Sequence, residues 1–309
     1  MNELLSYINS QYQMKLTKIK SINHSTYQAL TQNNQKLAIK IRASQESLLK
    51  EVFLYSYLLD QGIPVPTVYY SMNGAVIPFH NEWISIYSWV DGSPIFHHTS
   101  YLHTNIFYKY GVWLSRLHKA LASLEMPLSE SNFLFQVEQW ALPVFEKHFD
   151  KKQMQTFNQI RATWNSLEDN YHALPSQIIH RDFHPRNVLL KEEQLVSYLD
   201  FELSLMGVRI FDICYFLSAV LKESFTQLTS SQEWEEIFVQ FLSGYQQSTP
   251  FTEVEIQSIL PILETIQSLF LANYLGKHDN IQAEKHWHIL NYLSHSKSFF
   301  SSTLPPKII

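Results

Sequence analysis

The stretch IIHRDFHPRNVLL, Ile178 to Leu190, followed shortly by SYLDFE, Ser197 to Glu202, decides the reading of this chain. Both pieces begin with a short apolar run suited to a buried strand and then turn polar. Three oxygen-bearing side chains follow those runs: Asp182, Asn187 and Asp200. A carboxylate beside a hydroxyl can orient or accept its proton, and an amide and a second carboxylate are hard donors suited to magnesium. One base and two metal ligands in that order is the equipment of phosphoryl transfer, where charge on a polyphosphate must be neutralised while an acceptor oxygen is held in line.

These residues resemble the aminoglycoside phosphotransferase and choline kinase group of small-molecule kinases. In that family a catalytic loop runs His, any residue, Asp, four residues, Asn, matched here by His180, Asp182 and Asn187. A metal-binding segment Asp, aromatic, Glu follows, matched by Asp200, Phe201 and Glu202, with Asp200 eighteen positions after Asp182. The resemblance implies an α+β, two-lobed, protein-kinase-like fold. It implies a small antiparallel-sheet lobe with one helix over residues 1–90, which binds nucleotide. A larger, mostly helical lobe over 91–309 would carry the catalytic loop and the substrate site. It also implies ATP and Mg2+ as the cofactors and a small-molecule hydroxyl as the acceptor.

Further candidates come from the N-terminal region. KLAIKI, Lys36 to Ile41, alternates as a strand should, with Lys40 near its end. Ser47 to Asp60 carries Leu48, Val52, Tyr55 and Leu59 at helical intervals. At roughly 100° per residue, Glu51 falls on the edge of that stripe and Glu46 on the far side. Glu51 is therefore expected to point at Lys40, whose ammonium would contact the α- and β-phosphates. Gly62 and the prolines of GIPVPTVYY end the helix and lead into another strand. SINHSTYQA, Ser21 to Ala29, stands where a glycine-rich loop would cover the phosphates, although no glycine precedes Gly62. Asn23, Ser25 and Thr26 suit a tight turn there. WISIYSWV, Trp83 to Val90, reads as a buried strand broken by Asp91 and Gly92. By resemblance it is the hinge, with backbone groups of Ser88 to Val90 meeting the adenine edge.

Downstream, helical periodicity marks Asn105 to Leu121, Asn132 to His148, Lys151 to Tyr171, Ser230 to Gln247, Thr252 to Gly276 and Ala283 to Phe300, with Pro261 inside one of them. Asp212, in the apolar run VRIFDICYF, is costly to bury unless hydrogen-bonded. It matches a family Asp that braces the catalytic loop, and His180 matches a structural support of the same loop. Arg186 reads equally as a phosphate contact or a solvated side chain. His180 and His184 are spaced like zinc ligands, but Arg181 stands where that motif needs Glu and Pro185 follows at once. His97, His98, His286 and His288 have no third ligand at a telling distance and are expected at the solvated surface.

Composition limits the alternatives. The chain has 309 residues, 45% hydrophobic and 17% charged, with net charge −5, which fits a globular protein and offers no basic surface for nucleic acid. A single cysteine, Cys214, excludes an internal disulfide. The longest apolar run, Ile210 to Leu221, is interrupted by Asp212 and too short for a bilayer, so no membrane partner is expected. Glu3 and the lack of a basic start before an apolar block give the expectation of a cytoplasmic enzyme. Oligomeric state has no sequence signal. The acceptor stays open among homoserine, choline, a sugar or an antibiotic. Phe241 to Leu263 resembles the homoserine-kinase-like branch and so favours a metabolite. A protein kinase on the same fold and a catalytically silent nucleotide-binding regulator are the alternatives. Glu202 weighs against the first, and Lys40, Asp182, Asn187 and Asp200 weigh against the second.

Overall fold

Alternating strand-like runs followed by long amphipathic stretches fold as that pattern requires in the computed structural model, which describes residues 2–95, 105–130, 132–226 and 231–303. The chain begins with helix α1 (Asn2–Gln11), strands β1 (Leu16–Ser21), β2 (Thr26–Thr31) and β3 (Lys36–Arg42), and helix α2 (Gln45–Asp60). Strands β4 (Val68–Tyr69), β5 (Val76–Phe79) and β6 (Glu82–Ser88) follow. Next come α3 (Ile106–Ala122), α4 (Phe133–Gln136), a π-helical turn at Val137–Ala141, α5 (Leu142–His148), α6 (Lys151–Arg161) and α7 (Asn165–Asn170). The catalytic stretch supplies β7 (Ser176–Ile179), β8 (Val188–Lys191), β9 (Gln194–Tyr198) and β10 (Leu205–Val208). Helices α8 (Ile210–Thr226), α9 (Ser231–Gln246), α10 (Glu253–Gly276), α11 (Asn280–His295) and α12 (Lys297–Thr303) complete the chain.

Two compact units emerge, one of Met1–His97 with Arg186–Ser204, the other of His98–Pro185 with Leu205–Ile309. The division is thus not a single cut after residue 90. Segment 186–204 returns to the first unit because its hairpin is tied there: Ser93 and Leu190 exchange backbone bonds of 2.9 and 3.0 Å, and Tyr198 N–H donates to Pro64 O at 2.9 Å.

In the first unit the antiparallel sheet has the order β1-β2-β3-β6-β4, with β5 also paired to β6. Alternation along β3 gives its two faces different partners. Leu37, Ile39 and Ile41 join Ile84 and Ile86 of β6 under Leu4 and Ile8 of α1 in one apolar cluster. Helix α1 is one helix more than the sequence reading placed in this region; its Leu4 and Ile8, four apart, supply the buried stripe. On the opposite face of β3, Lys40 sits in register with Ser85 of β6. Helix α2 buries Leu48, Val52, Tyr55 and Leu58, whereas Leu59, expected on that stripe, is exposed. Ser44 caps α2 by accepting from Ser47 N–H.

In the second unit, α3 and α9 cross backbone to backbone. A Cβ on Gly111 would lie 2.0 Å from Phe241 O, and one on Gly244 would lie 2.0 Å from Tyr108 O, so only glycine permits this approach. Helix α10 runs unbroken through Pro261, with a capping box at Thr252 and Glu255. It is long and apolar enough to cross a membrane by composition, but 67% of that stretch is buried inside the protein. The expected helix from Ala283 to Phe300 is two helices, α11 and α12, separated at Ser296. His286 is not at the surface as expected: it is 1% exposed, enclosed by aromatic rings of α10. His288 is exposed, and His97 and His98 lie outside the described residues.

Candidate active site

Each unit carries one constellation of the residues singled out above. In the first unit, Lys40 of β3 and Glu51 of α2 meet at 2.7 Å, with Glu51 fully buried and Lys40 nearly so. Lys40 also pairs with Asp200 Oδ1. Burial alone would lower the ammonium pKa, but Glu51 and then Asp200 outweigh it and hold the group well above its ordinary value. Glu51 does more than hold the lysine. Its Oε2 accepts from Tyr87 OH at 3.0 Å and its Oε1 from Phe201 N–H at 3.1 Å. Tyr55 OH accepts from Asp200 N–H at 3.1 Å. The edge-on contacts of Tyr55 with Tyr87 and Phe201, at 5.3 and 5.7 Å between centroids, pack the same cluster.

Asp200 takes the left-handed conformation, φ 61°, which a non-glycine residue adopts only where its surroundings compel it. Here the compulsion is the pair of backbone bonds to Tyr55 and Glu51. Asn187 stands at the same end of the β8–β9 hairpin. Val188 pairs with Tyr198, and Leu199 N–H donates to Asn187 O at 2.9 Å, so the register brings the backbone of Asn187 beside Leu199, the residue before Asp200. The turn of this hairpin is Glu192-Glu193, both at positive φ, the primed geometry that matches strand twist. Amide and carboxylate oxygens are the donor set that suits magnesium, so these two residues fit the ion the sequence implied.

Glu202, where protein kinases have glycine, is paired with Arg42 at 2.6 Å. Arg42 also donates to Ser25 O at 3.1 Å, which anchors the β1–β2 turn. That turn solves its lack of glycine with Asn23, whose Oδ1 accepts from Ser25 N–H and Thr26 N–H at 2.9 and 2.8 Å. At the expected hinge, Ser88 N–H donates to Thr67 O and Ser88 Oγ accepts from Thr67 N–H, so the Ser88 amide is already engaged. Val90 follows it, half-buried.

In the second unit, Asp212 organises the loop after β7. Its Oδ2 accepts from His180 N–H at 2.8 Å, its Oδ1 from Arg181 N–H at 2.7 Å, and His118 Nε2 lies 3.1 Å from Oδ2. Tyr245 OH lies 2.8 Å from His118 Nδ1, so one imidazole bridges the phenol and the carboxylate. Arg181 is left-handed at φ 66°, held by its bond to Asp212. That twist presents the next residue, Asp182. Tyr215 OH donates to Asp182 Oδ1 at 2.9 Å, His184 Nε2 lies 3.5 Å from Oδ2, and Asp182 N–H donates to His180 Nδ1 at 3.3 Å. Burial would raise the Asp182 pKa, but His184, then His180 and the Tyr215 hydroxyl, hold it below the usual carboxylate value. Arg186 is exposed.

Tyr55, Tyr87, His118, Tyr215, Arg42 and the pairing role of Glu202 escaped the sequence reading. The tyrosines read there as apolar stripe residues, because spacing reports the ring and not where the hydroxyl points.

Residues 15–252 match the model of the phosphotransferase enzyme family. No match was found among curated proteins. Among solved structures, an amicoumacin kinase in complex with AMP-PNP, Ca2+ and Ami is similar with a TM-score of 0.71 and 17% identity, over 99% of this chain and 95% of that one. A microcompartment-associated aminopropanol kinase gives 0.73 and 13%, over 99% and 100%. An aminoglycoside phosphotransferase from Alicyclobacillus acidocaldarius gives 0.66 and 15%, over 94% and 95%. At such identities these likenesses establish the fold, which is the expected α+β, protein-kinase-like one. The family match spans most of the chain, including the loop after β7 and the β8–β9 hairpin, and the chain belongs to the phosphotransferase enzyme family.

Proposed function

We propose that this phosphotransferase moves the terminal phosphoryl group of ATP to a hydroxyl of a small organic molecule, with Asp182 serving that hydroxyl. The carrying observation is the buried cluster in which Glu51 engages Lys40 and the Phe201 amide together, while Lys40 pairs with Asp200. A buried ion pair is poor evidence of stabilisation, since burial of charge costs more than most pairings return. A lysine whose ammonium is fixed this way is positioned to contact nucleotide phosphates. The backbone from Ser88 to Val90 lies at the adenine edge in this reading. Because the Ser88 amide is engaged, Val90 is the residue to supply the donor.

Asn187 and Asp200 would hold magnesium, whose positive charge would offset the negative charge of the nucleotide phosphates. Asp182 has a depressed pKa and is therefore ionised at neutral pH but weak as a base. Its contribution is to orient the acceptor hydroxyl through one oxygen while Tyr215 holds the other, with proton loss late in a loose transition state. The structural neighbours named above act on an antibiotic and on an amino alcohol, and the acceptor here belongs to that broad class of small hydroxyl compounds. ATP supply places the enzyme in the cytoplasm.

The test is ATP consumption across amino alcohols, hydroxy acids, sugars and aminoglycosides with magnesium, using Asp182→Asn as the blank. Turnover on at least one compound, reduced on the order of 10² or more in the blank, is expected. Equal turnover in the blank would remove Asp182 from its role. Phosphate incorporated into protein but into no small compound would favour a protein kinase.

A further inference from the structure

Beyond Asp182, the second unit carries an aromatic shelf of which the phosphotransfer reading uses only Tyr215. Tyr215, which holds Asp182, packs against Phe270 at 5.8 Å between centroids. Phe270 and Tyr274, one turn apart on α10, sandwich His286 of α11: both rings lie 5.2 Å from the imidazole, at 22° and 17°. The sandwich is braced from below, since His286 Nδ1 bonds Gln267 Oε1 at 2.6 Å and Gln267 bonds Ser218 of α8. Tyr215, Phe270 and Tyr274 are each part-exposed, so the shelf has an accessible side. At its far end the ammonium of Lys222 stands 5.4 Å from the Tyr274 centroid.

Charge decides what such a shelf can hold. Burial, then Lys222 and Lys285, push the His286 pKa down to about 3, so the imidazole stays neutral at physiological pH. Its Nε2 is buried with no hydrogen-bond partner among the described residues, so the ring brings no charge to the shelf. Lys222 and Lys285 take part in none of the ion pairs among the described residues. An aromatic surface alone would suit a cation. Here the Tyr274 face is already taken by an ammonium, and a second cation would meet repulsion from two lysines. A carboxylate would meet attraction from both. Lys222 is seven residues beyond Tyr215 on α8, roughly 10 Å along the helix axis.

We propose that the acceptor is a hydroxy compound with a carboxylate at its far end, seated along Tyr215, Phe270 and Tyr274 and held by Lys222. This rests on the phosphotransfer reading given above, with Asp182 at the hydroxyl end. Lys222 is then a specificity-determining residue, and acceptors with several ammonium groups are disfavoured.

The test uses the full chain with ATP, magnesium and a ladder of ω-hydroxy carboxylic acids of increasing length, each beside its amide and the matching amino alcohol. The acid is expected to be the best of each trio. Lys222→Gln is expected to reduce the preference for acid over amide at least tenfold, through KM rather than kcat, as loss of a charged hydrogen bond does. Lys222→Arg should retain it. Equal acid-to-amide preference in wild type and Lys222→Gln, or amino alcohols preferred throughout, would overturn the proposal while leaving phosphotransfer intact. Should no compound turn over, calorimetric binding of the same acids in the presence of AMP-PNP decides. Acids that bind wild type and lose at least tenfold in Lys222→Gln support the shelf; acids that bind neither protein, or both equally, overturn it.

Discussion

Asp212→Asn separates the loop-bracing reading from a merely buried polar group. Two donors, His180 N–H and His118 Nε2–H, converge on Oδ2, and Arg181 N–H on Oδ1. Asparagine keeps the shape but exchanges one accepting oxygen for an NH2 group. In its better orientation the carbonyl oxygen takes the Oδ2 position, and the NH2 then faces the Arg181 N–H. One charge-assisted bond of about 1.5–3 kcal/mol disappears and the other two weaken, for a total of about 3–5 kcal/mol. Melting followed by circular dichroism should fall by roughly 6–20 °C on the usual conversion for domains of this size. The lost bond is also what keeps Arg181 left-handed, a conformation costing about 1–3 kcal/mol. Relaxation there shifts Asp182, the next residue, and kcat should drop by about 10². The KM for ATP should hold, because Lys40, Glu51 and Asp200 belong to the other unit. A variant within about 1 kcal/mol of wild type, or one whose KM for ATP moves as far as kcat, would refute the argument.

Other perturbations read other parts of the molecule. Lys40→Met strands Glu51 in a fully buried position and should cost about 3–5 kcal/mol in urea unfolding, with Glu51→Gln added in the same chain restoring part of it; additive costs would contradict the coupling. Gly111→Ala drives a Cβ into Phe241 O and should lower stability by at least the ~1–3 kcal/mol of ordinary overpacking, measured by thermal melting. Glu264 is buried beside Trp164 Nε1, and burial raises its pKa to about 7. A raised carboxyl favours the folded state below the unfolded value of about 4.3, and that contribution is lost as pH climbs toward and through 7. Stability in urea should therefore decline over that window in wild type and stay flatter in Glu264→Gln; parallel curves would exclude Glu264 as the cause. For Asp182, whose pKa is lowered, the acid limb of kcat/KM should lie below the usual carboxylate range, and a limb near neutrality would point to another group.

What the sequence by itself determined lies where chemistry is encoded in short spacing. The interval from Asn187 to Asp200 is local enough that the β8–β9 hairpin sets it within the first unit, and the loop after β7 carries His180 and Asp182 within the second. The pairing of Lys40 with Glu51 was legible too, because strand alternation and helix periodicity each constrain which way a side chain points. Asp212 was legible through cost: a carboxylate in an apolar run must find donors.

Tertiary structure decided what depends on partners distant in the chain. Tyr55 and Tyr215 look like core residues in one dimension, and only the approach of Asp200 and Asp182 gives their hydroxyls something to bond. His118 reaches Asp212 and Tyr245 because α3 and α9 touch at Gly111 and Gly244, and no local pattern announces a close crossing. His286 could not be told from a surface histidine until Phe270 and Tyr274 closed around it. Periodicity reports direction within one element; the identity of what stands opposite is settled by packing, where burial converts a hydroxyl or an imidazole from an indifferent solvated group into one that must be paired.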